Sequence, residues 1–374
     1  MNLNKIKNNK SIIFLVLLMF FISIFSIKSA SILLNYEENI MIKQVIWYII
    51  GFIFTYTITI IGNKKIYKKV WILYTIGVIL LAGLLVFAEP INNSRCWFNI
   101  GGVITIQPSE FMKIILIITL GTMIDKFNIK YKNHTLKDEF LFLLKIGIIV
   151  IIPSILTFLE PDTGVVLIYL VIMITMLLVS GIRYRWFIIF FGIIIIGLTT
   201  ICIIYKTNND FFINIFGPSF FLRMDRLFDW SNKNGYQLNN GLAAIGAGGI
   251  LGFGFNHTPI YFPEADTDFI FAVFASNKGF LGGLLLIIIT TIFDLKLIKI
   301  AKMSKNKLDS YILAGIIGML LYGQFQNIGM TLGIMPITGI TLPFISYGGS
   351  SLISYMIILG IIININNNSL KIKK

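Results

Sequence analysis

Ten windows of mostly apolar residues divide the chain, at 11–28, 44–62, 70–88, 109–125, 140–159, 163–181, 186–205, 267–294, 310–334 and 343–364. A helix needs about 20 such residues to cross the hydrocarbon core of a bilayer. No water reaches backbone N–H and C=O groups in that core, so each span must close its hydrogen bonds within itself. The expected fold is therefore all-α and polytopic, with about ten transmembrane helices. Only 13% of the 374 residues are charged, roughly half the share usual in a soluble domain. The N-terminus has the basic start of a signal peptide but no small-residue cleavage site, and many spans follow. A retained first helix is expected. No internal repeat of the kind found in many transporters is evident.

The net charge of +14 is not spread evenly. Lys5, Lys7 and Lys10 precede the first window, and Lys64, Lys65, Lys68 and Lys69 follow the second. Lys126, Lys130, Lys132 and Lys137 follow the fourth, and Arg183 and Arg185 the sixth. Lys296, Lys299, Lys302, Lys305 and Lys307 follow the eighth, and Lys371, Lys373 and Lys374 end the chain. Every second connection is basic, which places both termini in the cytoplasm. The basic excess is a topology signal with some attraction to anionic lipid, so nucleic acid need not be invoked. Most acids fall on the other side: Glu37, Glu38, Glu89, Glu160, Asp162, Asp210, Asp225, Asp229, Glu264, Asp266 and Asp268. The connections there include 89–109, the turn "EPDTG" at 160–164, and a long extracellular loop at 206–266 between the seventh and eighth helices. Structureless connections that long are uncommon. This one carries aromatics and the run "AIGAGGILGFG", so it is expected to be ordered and packed on the outer mouth of the bundle.

Three acids crowd the start of the eighth window in "FPEADTDFIFAV". Partial burial there would raise the Asp268 carboxyl toward neutrality, as suits a general base, while a helix N-terminus would favour the anion. The alternative is that Asp268 is a helix N-cap. Glu264 and Asp266 are either solvated loop charges or, with Asp268, oxygen ligands for a divalent cation such as Mg or Mn. Arg95 offers a planar fork for diphosphate, and Trp97 a face for a sugar or an anchor in the interface. Glu110 and Lys113 lie three apart on one helical face and are expected to pair, with Pro108 in the first turn. Asp162 either caps the next helix or faces a cavity. The glycine run is not a strand–GxGxxG–helix unit, so no nucleotide or redox cofactor is expected; it implies close backbone packing or a flexible substrate edge. "SYGGSS" at 346–351 permits close helix packing or an amide contact with diphosphate. His134 and His257 have no third ligand at zinc spacing. Cys96 and Cys202 give neither a metal spacing nor a disulfide framework.

The motifs "SRCWFNIGGVITIQPSEFMK", "EPDTGVVLI", "GYQ", "AIGAGGILGFG", "FPEADTDFIFAV" and "QNIGMTLGIMPITGITLPFISYGGSS" together resemble the SEDS family (shape, elongation, division and sporulation) of RodA/FtsW-type membrane glycosyltransferases. "MPITGI" leans toward the RodA branch. The resemblance covers about 43 to 359. It implies a multi-pass protein of the bacterial cytoplasmic membrane that polymerises lipid II at the outer face beside a class B penicillin-binding transpeptidase. It implies Asp268 as the catalytic residue, with Arg95, Trp97, Glu110, Lys113, Glu264 and Asp266 as substrate-binding residues. The chain departs from the family pattern at Ser276 and Asn277, where the pattern carries two glutamates, and at Asn240 and Gly241. Cys96 separates the usual Arg–Trp pair. Lys278 would lower the pKa of a nearby Asp268. A precursor flippase and a catalytically impaired scaffold are the competing readings. A flippase predicts ionisable residues within the helices along a path to the cytoplasm; acids crowded at the outer ends favour chemistry at the surface.

Overall fold

The computed structural model describes residues 9–35, 39–90, 94–101, 104–218, 220–221, 224 and 235–371. All ten windows are helical. The elements are α1 (Lys10–Leu33), α2 (Ile40–Ile61), a short α3 (Asn63–Lys68), α4 (Val70–Phe87), the antiparallel strands β1 (Phe98–Ile100) and β2 (Ile104–Ile106), α5 (Pro108–Lys130), α6 (Leu136–Leu159), α7 (Thr163–Val179), α8 (Arg185–Thr207), α9 (Asn209–Phe216), α10 (Tyr236–Ala247), α11 (Ile270–Met303), α12 (Lys307–Thr331) and α13 (Gly349–Lys371). Among the described residues, eight helices are long and apolar enough to cross a membrane. The other two windows hold α7, apolar but 17 residues long, and α5, which carries Glu110, Lys113, Asp125, Lys126 and Lys130. Glu37, Glu38, Asp225 and Asp229 lie outside the described residues.

Local chemistry sets the helix starts. Pro108 occupies the first turn of α5, where its missing N–H is no loss. Thr135 and Asp138 form a reciprocal capping box on α6. Between helices, lipid offers no hydrophobic driving force, so small residues and buried polar groups supply the contacts. Gly51 of α2 sits against Met356 of α13, and Gly360 of α13 against Ile58. Thr55 Oγ1 donates to the Met356 carbonyl at 2.6 Å, and Asn63 Nδ2 to that of Ile361 at 3.0 Å. Asn9, just ahead of α1, exchanges side-chain hydrogen bonds with Asn366 and Asn367 of α13, so α1 begins where α13 finishes. By contrast α8 has no buried residue. Its base is tied to α6, where Trp186 Nε1 donates to Glu139 Oε2 at 2.8 Å.

The eighth window is corrected by the structure. At Gly279 the backbone leaves the helical region (φ 64°, ψ −166°). Ala275 Cβ lies 3.8 Å, and Phe271 Cζ 3.4 Å, from where a Cβ on Gly283 would be. A continuous helix would put residues 275 and 283 about 12 Å apart. Residues 270–278 therefore fold back along 280–303 as the short arm of a helical hairpin. Such a break frees backbone groups that must find partners. The glycine run supplies them. Phe253 N donates to the Ser276 carbonyl at 3.1 Å and Gly254 N to that of Asn277 at 3.0 Å; Phe280 N donates to the Gly249 carbonyl at 2.9 Å and Leu281 N to that of Ile250 at 3.2 Å. A Cβ on Gly252 (φ 79°) would overlap the Asn277 backbone, and one on Gly279 the Ile250 carbonyl. Close backbone packing is what the glycines provide.

The departure at Ser276 and Asn277 falls on this break. Asn277 Nδ2 donates to Thr258 Oγ1 at 2.9 Å and to the Val273 carbonyl at 2.7 Å, and its Oδ1 accepts from Ser29 Oγ of α1 at 3.1 Å. Asn240 Nδ2 of α10 donates to the Tyr261 carbonyl at 2.9 Å, and Gly241 leaves room for the Phe269 ring. The part of the long loop from 235 to 266 is thus ordered and packed on the hairpin.

Alanine at Gly252 or Gly279 combines a left-handed backbone with overpacking, and each should destabilise the fold by about 2–4 kcal/mol. Gly246→Ala, in α10 with nothing near its Cβ position, should be neutral or stabilising by about 0.5–1 kcal/mol. Denaturant unfolding in micelles compares the three.

Candidate active site

Asp268 lies in an irregular segment, 263–269, that leads into the short arm of the hairpin. A second irregular segment, 332–348, joins α12 to α13 beside it. Side chains stitch the two together. Asn327 Nδ2 donates to the Asp268 carbonyl at 2.9 Å and to the Ile340 carbonyl at 2.8 Å. Ser346 Oγ donates to the Thr267 carbonyl at 2.6 Å while accepting from Leu342 N at 2.8 Å. Tyr347 N donates to the Asp266 carbonyl at 2.9 Å. One non-glycine residue on each segment takes a left-handed backbone, Glu264 (φ 53°) and Phe344 (φ 64°). Such strain costs about 1–3 kcal/mol and persists only where the surroundings hold it. Glu264 is held by Thr267 Oγ1, which donates to its Oε2 at 2.8 Å, and by Phe269 N, which donates to its carbonyl at 3.0 Å. The Phe344 carbonyl accepts from Tyr48 O–H, and its ring packs between Phe293 and Tyr355.

The Asp268 side chain is half-buried, and its Oδ2 lies 3.5 Å from the Cβ position of Gly339. It is not a helix cap: α11 begins at Ile270, and Phe269 takes the cap position without a side-chain bond. Burial, then the charges of Glu264, Asp266 and Asp162, push its pKa up to about 7. The expected lowering by Lys278 is overturned. Lys278 is exposed at the far end of the short arm, about 15 Å along the helix, beyond effective screening distance. The folded-state pKa exceeds the ordinary value of 3.8, so folding favours the protonated form. Stability from this group is full below about pH 4 and declines as pH rises to about 7.

A second layer stands behind Asp268. Lys113 Nζ pairs with Glu110 at 2.8 Å, as the spacing predicts, and both are buried; Ser354 Oγ of α13 donates to Glu110 Oε2 at 3.3 Å, and Lys113 lies 5.3 Å from the Tyr355 ring centroid. Asp162 caps α7 by accepting from Val165 N at 3.1 Å, and it also accepts from Gln107 Nε2 at 2.8 Å and from Ser109 Oγ at 3.4 Å. Burial raises its pKa against those hydrogen bonds. Glu160, two residues earlier, is fully buried with no hydrogen-bond partner on either carboxyl oxygen among the described residues, and burial followed by the Asp162 charge pushes it up to about 8. Cys96 Sγ donates to the Glu160 carbonyl at 2.8 Å, and both Cys96 and Cys202 are free thiols. Arg95 stands apart: it is exposed and donates to the Leu85 carbonyl at 3.1 Å.

A family model described as cell cycle protein, for FtsW, RodA and SpoVE, matches residues 9–371. The chain belongs to the FtsW/RodA/SpoVE family. It is similar to the probable peptidoglycan glycosyltransferase FtsW of Bacillus subtilis, 33% identical over 82% of this chain and 74% of that one. It is also similar to the peptidoglycan glycosyltransferase MrdB of Helicobacter pylori, 32% identical over 92% of this chain and 88% of that one. These two relatives stand at nearly equal identity, with which the RodA-branch leaning is consistent. The fold is that of the rod shape determining protein RodA of Thermus thermophilus, with a TM-score of 0.70 at 23% identity over 96% of each chain. A chain from a structure on coordination of polymerization and crosslinking by a peptidoglycan synthase complex superposes with a TM-score of 0.77 at 23% identity, over 96% of this chain and 97% of that one.

In this FtsW/RodA/SpoVE member, Asp268, Glu264, Asp266 and, through its charge, Asp162 come together, with Glu110 and Lys113 near Asp162. No contact among the described residues joins Arg95 or Trp97 to Asp268. No three His, Cys, Asp or Glu side chains among the described residues converge as a metal-ligand group. Glu264, Asp266 and Asp268 therefore do not fit a resident cation held by protein oxygens alone. Sequence reasoning missed Gln107 and Ser109 as partners of Asp162, whose proximity only the fold creates. It also missed Asp294, buried in α11 with Gln324 Nε2 donating to its Oδ1 at 3.4 Å. A lone carboxylate inside an apolar window was the signal available for that one.

Removing one partner of the buried Glu110–Lys113 pair leaves an uncompensated charge. Lys113→Met should cost about 3–5 kcal/mol, and Glu110→Gln combined with Lys113→Met appreciably less. A double-mutant cycle of unfolding free energies in micelles checks both.

Proposed function

We propose that the chain is a peptidoglycan glycosyltransferase that polymerises lipid II into glycan strands at the outer face of the bacterial cytoplasmic membrane, with Asp268 as its general base. The observation that carries this reading is a half-buried carboxyl, raised to about 7, anchored between two strained segments in a family whose named relatives are peptidoglycan glycosyltransferases. Asp268 takes the proton from a sugar hydroxyl as that oxygen attacks the anomeric carbon of a second lipid-linked sugar. The new C–O bond forms as the bond to diphosphate breaks, and polyprenyl diphosphate leaves with the electron pair. A base with a pKa near the working pH combines availability with driving force.

The neighbours then take supporting roles. Gln107, Ser109 and the start of α7 hold Asp162, and the buried Glu110–Lys113 pair holds α5 against α13. Arg95 and Trp97 serve binding of the diphosphate and sugar. A Mg or Mn ion, if used, would draw further oxygens from the diphosphate itself; no step depends on it. The partner is a class B penicillin-binding transpeptidase, a reading supported by the fold shared with a chain from a peptidoglycan synthase complex. Against a flippase, Asp294 with Gln324 is one buried polar pair and makes no path. Against an inert scaffold, Ser276 and Asn277 lie at the hairpin break, away from the carboxyl they were expected to serve.

Purified protein with its transpeptidase, given labelled lipid II, should form polymer, and Asp268→Ala should form none. No polymer from the native protein while a control polymerase works defeats the glycosyltransferase reading, and equal polymer from both defeats the role of Asp268. The carboxylate is the active form, so the native rate should rise with pH through about 7 and level off above it. Asp268→Asn cannot ionise, and its midpoint of unfolding at pH 8 should exceed that of the native protein.

A further inference from the structure

At the opposite, basic end of the bundle lies a cavity of about 440 Å³ that the glycosyl-transfer chemistry does not use. Two lysines and a histidine from two separate parts of the chain line it: Lys132 and His134 from the connection after α5, and Lys307 from the start of α12. Tyr131, Tyr311 and Asn128 also contribute to the wall. Acidic groups nearby are already engaged. Glu139 meets Trp186 at 2.8 Å, Arg183 at 3.6 Å and His134 at 3.8 Å; Asp309, beside Lys307, is buried and accepts from Tyr67 O–H at 3.2 Å; and Asp125 feels the charge of Lys307. Lys132 and Lys307 are both exposed, so their ammonium groups are available to an anion.

Asn128 ties the wall together. Its Nδ2 donates to the Ser180 carbonyl at 2.8 Å and to Tyr311 Oη at 2.9 Å, joining α5 to the end of α7 and to α12. A ligand that satisfies this cavity must bring negative charge for the two lysines. Exposed apolar side chains flank the cavity, Ile129 beside Asn128 on α5 and Val179 on its rim, where α5 and α7 finish at the cytoplasmic membrane boundary.

We propose that this cavity binds the headgroup of an anionic glycerophospholipid from the cytoplasmic leaflet, its phosphate on Lys132 and Lys307 and its acyl chains along α5 and α7. Basic pockets between transmembrane helices on the cytoplasmic side take such headgroups. The site lies at the far end of α5, the helix that carries Glu110 and Lys113, so occupancy braces the connection that holds that helix against α7 and α12.

Native mass spectrometry of the full chain, released from micelles with added phosphatidylglycerol or phosphatidylcholine, tests it. Phosphatidylglycerol should be retained in preference to phosphatidylcholine. Lys132→Gln with Lys307→Gln should weaken that retention by about thirtyfold, from about fivefold per lysine. Lys68→Gln with Lys69→Gln, an equal charge change at the same end but outside the cavity, should leave it within about twofold. Equal loss in both double variants, or loss in neither, overturns the site. Glycerol phosphate without acyl chains is the soluble arm. If it displaces the lipid at equal concentration, the ligand is a free phosphate ester and the lipid assignment fails.

Discussion

One side-chain amide, that of Asn327, holds the carbonyls of Asp268 and Ile340 at once. Behind that contact stands a general constraint. Buried backbone outside a helix survives only where other protein groups satisfy its N–H and C=O groups. Segments 263–269 and 332–348 are both irregular, and both lie among buried residues such as Ala265, Phe269, Leu342 and Phe344. Asn327, Ser346, Tyr347 and Tyr48 carry the hydrogen bonds that a helix would have supplied. Without them neither segment could occupy the bundle, and Asp268 would not be held where it is.

The same constraint shapes the hairpin outside this centre. A helix that reverses at Gly279 exposes carbonyls and amides on both sides of the break. The glycine run closes them with four backbone hydrogen bonds, and only residues without a Cβ permit the approach. The long loop, the reversal and the acidic segment are thus one assembly. The loop braces the short arm, and the short arm carries Asp268 at its base. Local strain at Glu264 and Phe344 is affordable because the surrounding packing and hydrogen bonds over-determine both positions.

Much of this was legible in the order of residues. Each of the ten windows holds a helix, Pro108 and Asp162 begin their helices as their chemistry predicts, and Glu110 meets Lys113 at the expected spacing. Those features depend on periodicity, capping and i, i+3 geometry, which are local. Asp268 stood out because three acids beside an apolar run are costly. The errors share a cause. The 267–294 window read as one span because nothing in its apolar pattern marks a reversal, and Lys278 looked close to Asp268 because sequence separation was taken for distance.

Sequence alone therefore determined the class of fold, its crossing segments and the acids set at one end, because each follows from what a bilayer allows a short stretch of chain to do. Tertiary structure decided that Asp268 is a partly buried acid near neutrality rather than a helix cap. It also decided that Asn277 is a joint between α1, the loop and the hairpin, and that Asp162 faces the same centre as Asp268. Burial, long-range charge and backbone satisfaction come from residues far apart in the chain, and only folding brings them together.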